Sequence, residues 1–331
     1  MRNASRARLL ALLVLGPLAA LAASDFVIAR STPLWSWVAH EFPRRLDDDY
    51  LGEALLRTLP PGRDNVLLLG NSRADDSIDT AVLEQRFADK GLHFRNLTVA
   101  GSGMVDQAMR AREIAKRKPG IVIAMVDAVA LRPEGWLEDT FAYDASAALE
   151  IFRPRDFLAE PGFHIAGLAG QLHVLARHRG SLQNSLLVGL GRQTFVGVRM
   201  ELLQRAAAAL DPDVGNNAFS GWMKSKTEDP YPNTSTRALE VLAQRMRDAG
   251  TRLVVVEAPN HPILIAPGVQ PRVLRFREFV GDLAGRHGFE FVQATQLREL
   301  DIEHFRDLIH LNPDGRTLFT ATLGDALDRL L

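Results

Sequence analysis

The chain has 331 residues, a formal net charge of -1 and no cysteine. A balanced charge argues against a nucleic-acid-binding surface. The missing cysteine excludes disulfides, thiolate catalysis, Cys-ligated zinc and a lipoprotein anchor.

Arg2, Arg6 and Arg8 precede the apolar run LLALLVLGPLAALAA, Leu9 to Ala23. A positive segment followed by such a run reads as a secretion signal or an N-terminal signal anchor, covering residues 1–30. Ala20-Leu21-Ala22 offers a cleavage site. Phe26, Val27, Ile28 and Ala29 extend the run past Asp25, and retention is the preferred reading. The arginines would then stay in the cytoplasm, with the body outside the inner membrane. A soluble periplasmic protein is the alternative. Residues 31–63 read as a juxtamembrane linker, in which Trp35 and Trp37 either sit at the membrane interface or pack on the domain.

From residue 64 the pattern becomes periodic. Five short apolar runs, Val66–Leu69, Phe94–Val99, Ile121–Val126, Leu253–Val256 and Phe289–Val292, read as strands buried on both faces. Between them lie helical patterns. One follows Asp79 or Thr80 and stops at Gly91. Others span Met104–Lys118, Ser235–Ala249, Val273–Arg286 and Asp314–Leu331. This alternation predicts an α/β domain with a mostly parallel, helix-covered sheet. Residues from about 140 to 232 break the rhythm. A crossover needs far less chain, so this largely helical stretch reads as an insertion.

Open parallel sheets bind ligands at the carboxyl ends of their strands. Gly70-Asn71-Ser72 follows the first strand and Ala100-Gly101-Ser102-Gly103 the second. Asp127 follows the third, and Pro259-Asn260-His261-Pro262 the fourth. RDLIHLNPDG, with Asp307 and His310, stands before the last helix. A serine hydroxyl is a weak nucleophile that needs a base, and the base needs an orienting acceptor. At three residues' spacing, Asp307 can accept from His310 Nδ1 and leave Nε2 facing outward. Asp127 reads as a structural acceptor or as a repulsive neighbour of an anionic substrate. His173 and His178, and His304 and His310, lack helical metal-ligand spacing, and Gly101-Ser102-Gly103 is a lone Gly-x-Gly. No metal or cofactor is expected.

GNSRADDSID, NLTVAG and DLIHLNPDGRTLFTATL together resemble the SGNH-type (GDSL-like) hydrolases. The resemblance implies a flavodoxin-like three-layer sandwich with a five-stranded, mostly parallel sheet. It matches Ser72 to the nucleophile and, through its backbone N–H, to the oxyanion hole. It also matches Gly101 to an oxyanion donor, and Asp307 and His310 to acid and base. Asn71 stands where that family usually has an aspartate. The third strand, in IVIAMVDAVAL, has no following asparagine to complete the oxyanion hole. Asn71 or Asn260 is the candidate substitute. GNSRADDSID and DLIHLNPDGRTLFTATL particularly resemble the membrane-anchored, exported branch, which includes proteins of cell-surface polysaccharide O-acetylation and of D-alanyl transfer to cell-wall polymers. This likeness implies an esterase or acyltransferase acting on O-acyl groups, acetyl first among them, of an envelope glycan or lipid. A membrane-bound acyltransferase is the implied partner. The alternative is an inactive binding or scaffold subunit of such a complex.

Overall fold

A computed structural model describes residues 23, 31, 55–100, 102–127, 131, 143–159, 161–172, 232–262, 270–297, 300–307 and 309–331. The expected signal segment and most of the linker lie outside these residues, as do Gly101 and most of the insertion. No helix among the described residues is long and apolar enough to cross a membrane.

The sheet has five strands in the order β2-β1-β3-β4-β5. They are β1 Asn65–Leu69, β2 His93–Asn96, β3 Ile121–Val126, β4 Arg252–Glu257 and β5 Glu290–Val292. Every pairing is parallel. This is the flavodoxin-like order, which reverses direction between β1 and β3 and opens a ligand crevice at their carboxyl ends.

Alternating side chains divide the core. Leu67, Leu69, Val122, Ala124, Val126, Leu253 and Val255 face one layer. Val66, Leu68, Ile121, Ile123, Met125, Val254 and Val256 face the other. Nine α-helices are described: α1 Ser72–Ser77, α2 Thr80–Arg86, α3 Met104–Lys116, α4 Ala145–Ile151, α5 Pro154–Ala159, α6 Pro161–Leu172, α7 Thr234–Asp248, α8 Gln270–His287 and α9 Pro313–Leu330. Helices α3, α4, α7 and α8 cover the first face. Helices α1, α2 and α9 cover the second, where Phe319, Leu323, Ala326 and Leu327 of α9 form an apolar stripe at helical spacing. The result is a three-layer α/β sandwich, as the sequence led one to expect, with all of its strands parallel.

Three local differences have physical reasons. Strand β2 ends at Asn96, short of the expected Val99: the Thr98 N–H turns to the Asn96 side chain at 2.9 Å, while Leu97 and Val99 still donate to the Leu68 and Gly70 carbonyls of the β1 segment, each at 2.9 Å. Helix α1 has no counterpart in the sequence reading, which placed Gly70-Asn71-Ser72 after the first strand without a helix there. Asn71 is in fact its N-cap, accepting the Arg73 N–H at 3.0 Å. Within the expected insertion, Ala147, Ala148 and Ile151 of α4 and the following Phe152 join the main core. The described part of that insertion adds no strand to the sheet.

Candidate active site

Strand β1 delivers Ser72 to the carboxyl edge of the sheet, and the turn there leaves little choice of residue. Gly70 has φ +155, and a Cβ at that position would lie 2.4 Å from the Cβ of Ala74. Glycine therefore allows α1 to start directly beside the strand end. Two long-range clusters then hold the short helix. On one side Asp75 accepts from Asn96 Nδ2 at 2.6 Å and from Thr98 Oγ1 at 3.2 Å, tying α1 to the end of β2. On the other, Arg73 forms an ion pair with Asp127 at 3.0 Å, and both are nearly closed to solvent. The same guanidinium donates through Nη2 to the Pro259 carbonyl beyond β4.

The opposite wall comes from the loop before α9. Phe305 and Leu311 form an antiparallel bridge, so His310 sits near the tip of a tight return. Within it Asp307 Oδ1 accepts the backbone N–H groups of Ile309 and His310, each at 2.9 Å. Asn312 caps α9 by accepting the Gly315 N–H at 2.9 Å, and Pro313 occupies the first helical position. Gly315 is required because a Cβ there would lie 2.2 Å from the His304 carbonyl oxygen. Arg306 reaches back to Asp76 of α1 at 2.7 Å and joins the two walls.

The two walls meet at Ser72. Its Oγ lies 3.0 Å from His310 Nε2 across 238 positions of sequence. His310 Nδ1 lies 2.8 Å from Asp307 Oδ2 and 3.0 Å from Oδ1. Burial pushes the Asp307 carboxyl upward, but hydrogen bonds from the His310 ring and the Ile309 N–H, with the His310 charge, outweigh it and lower the value to about 2. An ionised Asp307 only accepts, so Nδ1 is assigned the proton and Nε2 is left to accept from the Ser72 hydroxyl. These distances are those of a working nucleophile and base.

The expected oxyanion donors fare unequally. The Ser72 backbone N–H has no hydrogen-bond partner among the described residues, and Gly101 lies outside them. Beside Gly101, Ser102 Oγ donates to the Gly70 carbonyl at 3.1 Å and joins the loop after β2 to the serine turn. Asn71 spends its side-chain oxygen on capping α1. Asn260 donates instead to the buried Glu257 at 2.8 Å. Glu257 also binds the Arg277 Nε at 2.8 Å and the Ala294 N–H at 2.9 Å, so Asn260 belongs to a structural cluster at the carboxyl end of β4.

One residue gains a role that the sequence reading did not give it. Arg73 entered that reading only as the residue after Ser72, yet it neutralises Asp127, which removes the repulsive-neighbour alternative for that carboxylate. The signal was present, since an aspartate ending a buried strand needs a cation when desolvated. His261 is buried edge-on against Phe305, with ring centroids 4.9 Å apart. Burial holds its imidazole below the ordinary value, and the Asp307 charge offsets part of that effect. Asp301, Glu303 and His304 also bring ligand-type atoms within 4.8 Å of one another. A capping box explains that grouping, because Asp301 caps the His304 N–H and the Asp301 N–H donates to His304 Nδ1.

No protein-family model and no curated protein matches the chain. Solved structures do. One is TesA, at 14% identity and TM-score 0.41 over 81% of this chain and 99% of that one. A second, from Desulfitobacterium hafniense, is described as a lipolytic protein of the G-D-S-L family, at 12% and 0.39 over 79% and 98%. A third is the acetyl xylan esterase AlAXEase, at 10% and 0.40 over 80% and 99%. Likeness at this level leaves the chemistry to be argued from the side chains.

Proposed function

We propose that this chain is a serine hydrolase of the SGNH type that cleaves or transfers O-acyl groups. The observation that carries the reading is the Ser72–His310–Asp307 line, with Oγ to Nε2 at 3.0 Å and the carboxylate on Nδ1. Ser72 Oγ attacks the acyl carbon while its proton passes to His310 Nε2. The negative charge that develops on the carbonyl oxygen is received by the Ser72 N–H, and by the Gly101 N–H that the family resemblance proposes. As the ester C–O bond breaks, Nε2 returns the proton to the leaving alkoxide. Water, or a sugar hydroxyl, then attacks the acyl-serine, with His310 taking and returning the second proton. Asp307 holds the ring in the required tautomer and stabilises its charged form.

The substrate we favour is an O-acetylated glycan or lipid of the cell envelope, with a membrane-bound acyltransferase as partner. The arginine-led apolar run at residues 1–30 supports an inner-membrane anchor with the body in the periplasm. Protease accessibility in spheroplasts tests this: digestion only after the outer barrier is opened is the expected result, and protection would overturn it.

Fluorophosphonate labelling tests the chemistry. The wild type should label at Ser72 and hydrolyse an aryl acetate, and Ser72→Ala should do neither. One observation favours a second reading, a binding subunit of an acylation complex. Asn260 Nδ2 already donates to Glu257, so of the two candidates for the missing asparagine only the Asn71 amide N–H group, which its cap does not use, is left. Loss of one oxyanion donor costs about 10²–10³-fold in rate. A wild type that binds acetylated glycan but neither labels nor turns over would establish this second reading.

A further inference from the structure

We propose that Arg73 is a positioning residue, and that its ion pair with Asp127 keeps Ser72 in register with His310. The catalytic part of this inference rests on the serine-hydrolase reading above.

Arg73 immediately follows Ser72 and is 4% exposed. Its guanidinium reaches Asp127, the first residue after β3, at 3.0 Å, and the carbonyl of Pro259, two residues after β4. One side chain thereby ties the turn after β1 to the ends of two further strands. Asp127 stands just past the third strand, where the family resemblance expects an asparagine. In this chain the place is filled by a charge pair anchored beside the nucleophile.

Stability alone is a poor account of the pair. Two charges taken out of water rarely gain more than an apolar pair of the same size. Here the exchange is also incomplete, because Arg73 Nε is buried and makes no hydrogen bond. A buried donor left unmade carries a desolvation cost. Direct contact with substrate is no better an account, since that N–H is closed to solvent. What the pair does supply is rigidity in the right place. Helix α1 has only six residues, too few to hold its own geometry. The Asp75 cluster ties it on the β2 side, and Arg73 ties it on the β3 and β4 side. A shift of about 1 Å between Ser72 and His310 would be enough to cost about 10²-fold in rate.

The test uses the full-length chain and two variants. Arg73→Lys keeps the charge but replaces the planar fork with a single ammonium. Arg73→Met combined with Asp127→Leu removes both charges and is expected to fold, because apolar replacements of buried ion pairs are usually tolerated. Five quantities are measured: thermal midpoint, fluorophosphonate labelling rate, kcat and KM on an aryl acetate, and the nitrogen NMR signals of the His310 ring. Both variants should lose about 10²-fold in labelling rate and kcat, with KM changed by no more than about twofold. The double variant should do so with its thermal midpoint preserved. The Nε2 signal should move as the Ser72 hydroxyl leaves it. A purely structural role predicts the reverse, with activity recovering wherever the fold does. Folded variants that label within about threefold of wild type, with an unchanged His310 ring, would overturn the proposal. If wild type fails to label, the serine-hydrolase reading falls, and the ring signal still decides: movement in the variants upholds positioning and constancy refutes it.

Discussion

The two walls of the site are built in opposite ways. On the histidine side almost everything is local. Asp307, Ile309 and His310 organise one another within four positions of chain, in a loop where Asp307 is half exposed. On the serine side almost nothing is. Ser72 is placed by Asn96 and Thr98 at the end of β2, by Asp127 after β3 and by Pro259 after β4, the last 186 positions from Arg73. The histidine wall is a motif that a loop can carry by itself. The serine wall exists only once four strands, β1 to β4, have paired. This difference teaches where each wall should be fragile: chemistry and pH act on the first, and backbone or core changes act on the second.

The largest expected effect tests whether the walls act as one unit. Ser72→Ala and His310→Ala should each lower kcat by about 10⁶-fold, and combining them should add little. Asp307→Asn should cost less, about 10⁴-fold, because it disturbs the tautomer while leaving nucleophile and base in place. Steady-state kinetics on an aryl acetate for the three single variants and the serine–histidine double check this, and additive losses would show that the two walls do not cooperate.

Gly70→Ala should break the serine wall without touching a reacting group. A Cβ there would meet Ala74 at 2.4 Å, with φ at +155. Strain of this kind is worth about 2 kcal/mol. Denaturant unfolding should show that loss together with slower fluorophosphonate labelling. Unchanged stability would mean that the turn can relax.

Acid should reach the histidine wall by a smaller amount. The Asp307 carboxyl sits at about 2 in the folded chain against an ordinary 3.8. Its folded value is the lower one, so the stability it adds is full above pH 3.8 and is lost as pH falls through about 2. At a half-exposed position this amounts to about 1 kcal/mol after allowance for solvent screening. The stability difference between wild type and Asp307→Asn should therefore be present at neutral pH and vanish near pH 2. A difference independent of pH would assign the carboxylate's effect to packing.

Local chemistry determined what the sequence by itself made legible. Continuous apolar runs marked β1, β3 and β4, since a strand buried on both faces has no polar face to alternate, while the edge strands β2 and β5 were marked by shorter, mixed runs. Asn312, Pro313 and Asp314 marked the start of α9, because capping and first-turn preferences depend on residues a few positions apart. Asp307 and His310 stood at a spacing that lets one orient the other. Tertiary structure decided the rest. Asn96 bonded Thr98 and Asp75, Asn71 became a cap, and Asn260 turned to Glu257, because each amide takes whichever partner packing brings within reach. Arg73 found Asp127 only after β1 and β3 lay side by side. A buried charge must be paired, but which residue pairs it depends on strand order, and strand order comes from contacts between residues far apart in the chain.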